Sequence, residues 1–166
     1  MSVYYMNSEG ETIIYSPLED GKDFFIEDQW GEKYHFKILS FECPSGLLST
    51  SIQVIEKNSM NEPRIYEVLY DFDEDVEKAE LLLKAKIKKN INRKHLIIDD
   101  GKAEFYDEHL LRGRIEGANS FPVSTKDKIF VVDGKRITIE QFINLIQPCE
   151  GFNFKFEIID PSDDID

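Results

Sequence analysis

Three histidines, His35, His95 and His109, are the side chains best suited to proton transfer or metal binding in this chain. They fall in three different predicted elements. Neither an HxH nor an HExxH spacing, which would place two imidazoles on one metal ion, occurs in the sequence. We therefore predict no metal site and no cofactor, and we interpret each histidine as a half-buried polar residue.

Two arginines, Arg112 and Arg114, are separated by one glycine, which would place both guanidinium groups on the same side of a strand. Such a pair could bind an anion bidentately. The alternative is pairing with carboxylates across a sheet, which an acid-rich chain offers. An enzyme with a site assembled in space stays open as a hypothesis, with candidate residues His109, Arg112, Arg114 and Glu150.

No other group of residues matches the spacing of a known catalytic or ligand-binding motif. The acidic run Asp71–Asp75 begins like a calcium loop, but Val76 and Leu82 stand where that loop needs its glycine and its glutamate. Helix capping explains the aspartates better, because a short carboxylate accepts the free N–H groups of a first helical turn. The chain contains no GxSxG elbow and no GxxxxGK[ST] phosphate loop.

Charge is distributed unevenly along the 166 residues, whose net charge is −13. Between Val76 and His95 seven bases stand against two acids, a net of +5, so the rest of the chain carries −18. Bases near the end of a helix complement its dipole, and the same strip could contact an acidic partner. The candidate partner-binding residues are Lys84, Lys88, Lys89, Arg112 and Arg114.

The compartment follows from cysteine usage and hydropathy. Cys43 and Cys149 form no CxxC motif, and the opening MSVYYMNSEG lacks the basic and apolar regions of a signal peptide. No run approaches the roughly 20 apolar residues of a membrane span. We expect a cytoplasmic protein that binds another protein, because strong acidity disfavours direct binding to nucleic acid or to a membrane surface. The oligomeric state stays open.

The hydrophobic pattern predicts strands first and then one long helix, Val76–Arg93. Short connections between the strands favour an antiparallel meander. The strands predicted before this helix are Val3–Met6, Thr12–Tyr15, Asp23–Glu27, Lys33–Phe41, Leu48–Glu56 and Arg64–Phe72. After it we predict strands at Leu96–Asp99 and Phe105–Ile115, then a loop over residues 117–126.

The last quarter of the chain predicts a compact sequence of elements. A strand, Ile129–Val132, leads through the turn Asp133-Gly134 to a helix capped by Thr138 and Gln141. The predicted apolar stripe of that helix consists of Ile139, Phe142, Ile143 and Ile146. A final strand is expected to bury one face, formed by Phe152, Phe154, Phe156 and Ile158.

Several segments resemble an uncharacterised bacterial domain family. They are RGRIEG at Arg112–Gly117, VVDGKRITIEQF at Val131–Phe142, EGFNFKFEIIDPSD at Glu150–Asp163, GLLSTSIQVIE at Gly46–Glu56 and the long helix. Many members carry a cysteine-rich, zinc-ribbon-like N-terminal segment, which this chain lacks, so the resemblance implies no zinc here. It implies the domain layout and no known activity.

The sequence thus predicts an α+β fold, a mainly antiparallel sheet with one long and one short helix packed on it. We expect residues 1–120 to form strands plus the long helix, and residues 121–166 a C-terminal unit of the same compact domain. The predicted function is a non-enzymatic protein-interaction or regulatory module. One alternative is an acidic inhibitor or immunity-type protein that blocks a basic, nucleic-acid-binding site, and the other is the assembled enzyme site.

Overall fold

The computed structural model describes residues 3–6, 11–106, 109–117 and 128–163, which form two compact units. The first unit contains the described residues of Met1–Glu56, Pro63–Asn92 and Ile159–Asp166, and the second those of Lys57–Glu62 and Arg93–Ile158. The described sheets are antiparallel and helices pack on them, so the α+β class is confirmed. The chain crosses between units more than once, whereas the sequence predicts a single division after residue 120.

The centre of the first unit is a four-stranded meander in the order β3-β4-β5-β6. Its strands are β3 (Lys22–Glu27), β4 (Lys33–Cys43), β5 (Gly46–Gln53) and β6 (Ile65–Tyr70). A hairpin of β1 (Val3–Met6) and β2 (Thr12–Tyr15) and one helical turn, α1 (Pro17–Asp20), precede it. The six strands predicted here are confirmed, with small shifts at their ends.

The turn between β4 and β5 depends on one glycine. Gly46 has φ +139°, and a Cβ at this position would lie 1.9 Å from the carbonyl oxygen of Tyr70 on β6. Only a residue without a side chain fits such a close approach of two backbones. Pro44 and Ser45 form the turn that precedes this glycine.

One helix, α2 (Val76–Ile91), packs on the meander and ends two residues earlier than predicted. Asp75 caps it, since its Oδ1 accepts a hydrogen bond from the N–H of Glu77 at 3.0 Å. Val76 and Leu82 are exposed. The face that meets the sheet runs instead through Ala79, Leu83, Ile87 and Ile91, against Tyr34, Phe36, Ile38 and Val68.

The second unit is built from two small antiparallel sheets. Strands β7 (Leu96–Asp99) and β8 (Lys102–Phe105) form one, and β9 (Arg114–Gly117), β10 (Lys128–Val132) and β11 (Lys135–Thr138) form the other. The predicted turn is confirmed, with positive φ at Asp133 and Gly134. The strand predicted over Phe105–Ile115 is wrong, because His109 also has positive φ and interrupts the extended chain.

The short helix α3 (Ile139–Ile146) begins with the predicted capping box. Thr138 Oγ1 accepts from the N–H of Gln141 at 3.1 Å, and Gln141 Oε1 accepts from the N–H of Thr138 at 2.9 Å. Its predicted apolar stripe is largely wrong. Leu145 is buried and Phe142 packs against Phe130, whereas the exposed side chains are those of Ile139, Ile143 and Ile146.

The final strand predicted at Phe152–Ile158 is also wrong. The segment follows a short 3-10 helix, Gln147–Cys149, and no strand pairs with it in the described part of the chain. The side chains expected to be buried are exposed. Alternation makes a segment able to join a sheet, but burial requires a partner strand and a covering layer. The predicted loop at residues 117–126 lies outside the described residues, apart from Gly117.

Candidate interaction surface

Four large apolar side chains project from Phe152–Ile158, which we call the aromatic segment. Phe152, Phe154, Phe156 and Ile158 are between 64% and 91% exposed. On the intervening positions Lys155 Nζ lies 2.8 Å from Glu157 Oε2, so these two charged side chains share one side. Apolar and polar residues alternate along the aromatic segment, as they do on the two faces of a strand.

The beginning of the aromatic segment is anchored in the second unit. The N–H of Phe152 donates to the carbonyl oxygen of Cys149 at 2.9 Å, across a turn in which Gly151 has φ +88°. The Phe152 ring meets the His109 ring edge-on at a centroid distance of 6.2 Å, and His109 meets Phe105 at 5.3 Å. His109, which the sequence offers as a candidate acid or base, therefore packs between two phenylalanine rings, one of them in the aromatic segment.

The residues after the aromatic segment are anchored by one buried lysine of α2. Lys86 is only 8% exposed, and its Nζ donates to the carbonyl oxygens of Glu67 at 2.8 Å and Asp163 at 2.7 Å. The carbonyl oxygens of Pro161 and Ser162 each lie 3.2 Å from the same Nζ. The ammonium group therefore holds the turn at residues 160–163 against α2 within the first unit.

Sequence reasoning missed this anchor, because Lys86 stands in a basic strip that predicts a solvated face. One signal was available: Lys86 follows Leu83 by three residues and precedes Ile87, so it lies on the helix face that packs on the sheet. A long side chain there can bury its methylene groups and direct its ammonium to backbone oxygens.

The five predicted partner-binding residues are divided between the units. Lys84, Lys88 and Lys89 belong to α2 in the first unit, and Arg112 and Arg114 to the second. Lys88 is exposed, whereas Lys84 Nζ lies 5.5 Å from the centre of the Phe24 ring, a cation–π contact.

In the predicted arginine pair, Arg114 has a carboxylate partner. Arg114 Nε donates to Glu116 Oε1 at 2.7 Å, two residues along β9, which compensates its charge. Arg112 is half-buried. Arg114 and Glu116 lie on the same strand, so this contact differs from the pairing across a sheet that the sequence suggested. Glu150, the remaining candidate for an assembled catalytic site, is exposed.

The other two histidines contact carboxylates. His35 Nε2 lies 2.7 Å from Asp23 Oδ1 on the surface of the meander. His95 is buried, with Nδ1 2.9 Å from Asp133 Oδ1, and the N–H groups of His95 and Leu96 donate to Asp133 Oδ2 at 2.6 and 3.0 Å. Burial raises the pKa of Asp133, but these hydrogen bonds outweigh it and the pKa is lowered. This pair joins β7 to the β10–β11 turn.

Among the described residues, no group of three or more histidines, cysteines and acids is placed to hold a metal ion. Cys43 and Cys149 are free thiols, both half-buried. Within the same part of the chain, no helix combines the length and the apolar character needed to cross a membrane.

Two family models match the chain, and they meet where α2 ends. Residues 19–92 match the model described as domain of unknown function DUF7686, and residues 91–163 match that described as domain of unknown function DUF7713. The structural units also change at Asn92. The predicted resemblance to an uncharacterised domain family is thereby confirmed, with two domain models where the sequence predicts one family. Comparisons with curated proteins and with solved structures give no match.

Proposed function

We propose that this protein is a protein-interaction module and that the aromatic segment is its contact surface. The observation that carries this proposal is the exposure of Phe152, Phe154, Phe156 and Ile158 in a segment anchored on both sides. Burying apolar surface contributes a favourable free energy of about 25 cal/mol per Å². Contiguous exposed apolar patches mark interaction sites, and aromatic residues dominate binding energy at such sites.

The mode of binding follows from the backbone. Apolar and polar side chains alternate along the aromatic segment, and among the described residues no backbone hydrogen bond joins Asn153–Ile158 to another segment. A partner strand would satisfy these N–H and C=O groups and cover the aromatic face at once, as in β-strand addition. Because the N–H of Phe152 is already held by Cys149 within the second unit, less conformational entropy is lost on binding than for a free tail.

Location and partner class rest on the sequence. We infer a cytoplasmic protein that acts on another protein and binds neither nucleic acid nor membrane directly, from its acidity and its cysteine usage. The acidic-inhibitor and assembled-enzyme hypotheses stay open as sequence-based alternatives.

The test compares the full chain with two variants as bait for binding proteins. Phe154→Ser/Phe156→Ser removes the centre of the aromatic segment, whereas Phe25→Ser removes a phenylalanine of the meander that is 71% exposed. We expect the native chain and Phe25→Ser to retain the same partners, further copies of the chain included, and the double variant to lose them. Equal retention by the double variant, with an unchanged circular dichroism spectrum, would refute the proposal.

A further inference from the structure

The aromatic segment is complementary in sequence to a second copy of itself. In an antiparallel pair, residues directly opposite one another project to the same face. A register that preserves the two faces of the segment must therefore pair apolar with apolar and polar with polar positions, and a one-residue slip would place phenylalanines opposite charges. Every register centred on a residue meets this condition, and those centred on Phe154, Lys155 or Phe156 pair the largest part of the segment with itself.

Charge distinguishes the three registers. Centred on Lys155, the two lysines face each other, which is unfavourable. Centred on Phe154, Lys155 faces Asn153 and Glu157 faces Gly151, with no opposite-charge pair. Centred on Phe156, Lys155 faces Glu157 of the second copy and Glu157 faces its Lys155, and on the apolar side Phe154 faces Ile158.

The Phe156-centred register matches apolar with apolar and polar with polar positions from Phe154 to Ile158. Beyond them Phe152 faces Asp160, Asn153 faces Ile159 and Gly151 faces Pro161, so the matched part of the pairing ends at Phe154 and Ile158. Proline lacks the N–H that a sheet requires and is tolerated at the end of a strand. The 2.8 Å contact of Lys155 with Glu157 within one chain shows that both charges already lie on the same face.

We propose that two copies of this protein pair antiparallel through their aromatic segments, with Phe156 at the twofold axis. This inference rests on the proposed function, because it names the partner of that same surface. The interface is self-complementary, as twofold symmetry requires: each contact between residue i and residue j occurs twice. The interface therefore contains two Lys155–Glu157 pairs, and a charge reversal at either position changes both of them.

The test is a charge swap followed by analytical ultracentrifugation over a range of concentrations. We expect the native chain to dimerise, and Lys155→Glu or Glu157→Lys alone to raise the dimer dissociation constant by at least about tenfold, since each places two like-charge pairs in the interface. The double variant Lys155→Glu/Glu157→Lys should recover native dimerisation. An equimolar mixture of the two single variants should form heterodimers, because every pair is then opposite in charge.

Either of two results would overturn the inference: a native chain that stays monomeric up to about millimolar concentration, or a dimer that both single variants leave unchanged. Circular dichroism and thermal melting of each variant check the fold, and both charges are exposed, so we expect no change. A monomeric native chain that still captures another protein through Phe154 and Phe156 would leave the proposed function standing and exclude only the self-pairing.

Discussion

Strand β4 and the aromatic segment have the same alternation of apolar and polar residues, but the apolar side chains are buried in β4 and exposed in the aromatic segment. In β4, Tyr34, Phe36 and Ile38 are at most 5% exposed. In the aromatic segment, Phe154 is 91% exposed. The sequence pattern of the two regions is equivalent, so the difference arises from what surrounds them.

What surrounds β4 is a strand on each side and a helix above. It pairs with β3 and β5, and Leu83 and Ile87 of α2 pack on its apolar face. The aromatic segment has anchors before and after it but no partner strand within the described residues. Alternation therefore marks a segment that is able to be buried, and the contacts around it decide whether it is buried in the monomer or by a partner.

The largest expected effect is the loss of a β4 ring. Phe36 is 0% exposed, so Phe36→Ala should lower the free energy of unfolding by about 3–5 kcal/mol, through lost burial and the cavity left behind. Urea unfolding followed by tryptophan fluorescence measures this in the first unit, because Trp30 is the single tryptophan of the chain. A loss below about 1 kcal/mol would contradict the placement of this ring in the core.

The half-buried Asp133 belongs to the second unit, so a substitution there tests the stability of that unit. Asp133→Asn keeps a side chain that tolerates positive φ and removes the charge, so we expect a loss of about 1–3 kcal/mol near neutral pH. Hydrogen exchange of the amides of His95 and Leu96, which donate to this carboxylate, measures the change locally.

The same pair predicts a pH dependence. Because the folded state lowers the pKa of Asp133, its contribution is fully present above the unfolded pKa of about 3.9 and is lost as pH falls through the folded pKa. Acidification from pH 5 to pH 2 should therefore destabilise the native second unit more than that of Asp133→Asn. Equal acid sensitivity would show that the charge of Asp133 contributes nothing to the stability of the second unit.

Local signals in the sequence predicted the local structure well. The Asp133-Gly134 turn, the Thr138 capping box and the Asp75 cap each depend on a few neighbouring residues, and each is confirmed. The pairing of consecutive strands in the meander was predictable for the same reason. The acceptors of Lys86 were not, since they lie 19 and about 75 positions away along the chain.

The candidate surface was recognised in the sequence but interpreted as core. Nothing in the residues from Phe152 to Ile158 distinguishes a strand paired inside the monomer from one left open, because a long-range partner is absent from the local pattern. The exposed Ile143 of α3 was misjudged for a related reason: the periodicity identifies an apolar helix face, whereas the packing of Phe142 and Leu145 decides which side is buried.

A smaller effect is expected when the Lys86 anchor is removed. Lys86→Met keeps most of the buried stem and leaves the carbonyl oxygens of Glu67 and Asp163 without their donor, so we expect a loss of about 1–2 kcal/mol. Lys88→Met, on an exposed position of the same helix, serves as the matched control and should change little. Faster hydrogen exchange around residues 160–163 in the first variant only would confirm the anchor.

The smallest expected effect on stability lies in the aromatic segment itself. Phe154→Ala removes a ring that is 91% exposed. At low protein concentration the free energy of unfolding of this variant should therefore equal that of the native chain within about 0.5 kcal/mol, and the thermal midpoint should not change. At concentrations where two copies pair, the midpoint of the native chain should rise above that of the variant, because association stabilises only the folded state. A loss of about 3–5 kcal/mol at every concentration would instead mean that this ring is buried within the monomer, as Phe36 is.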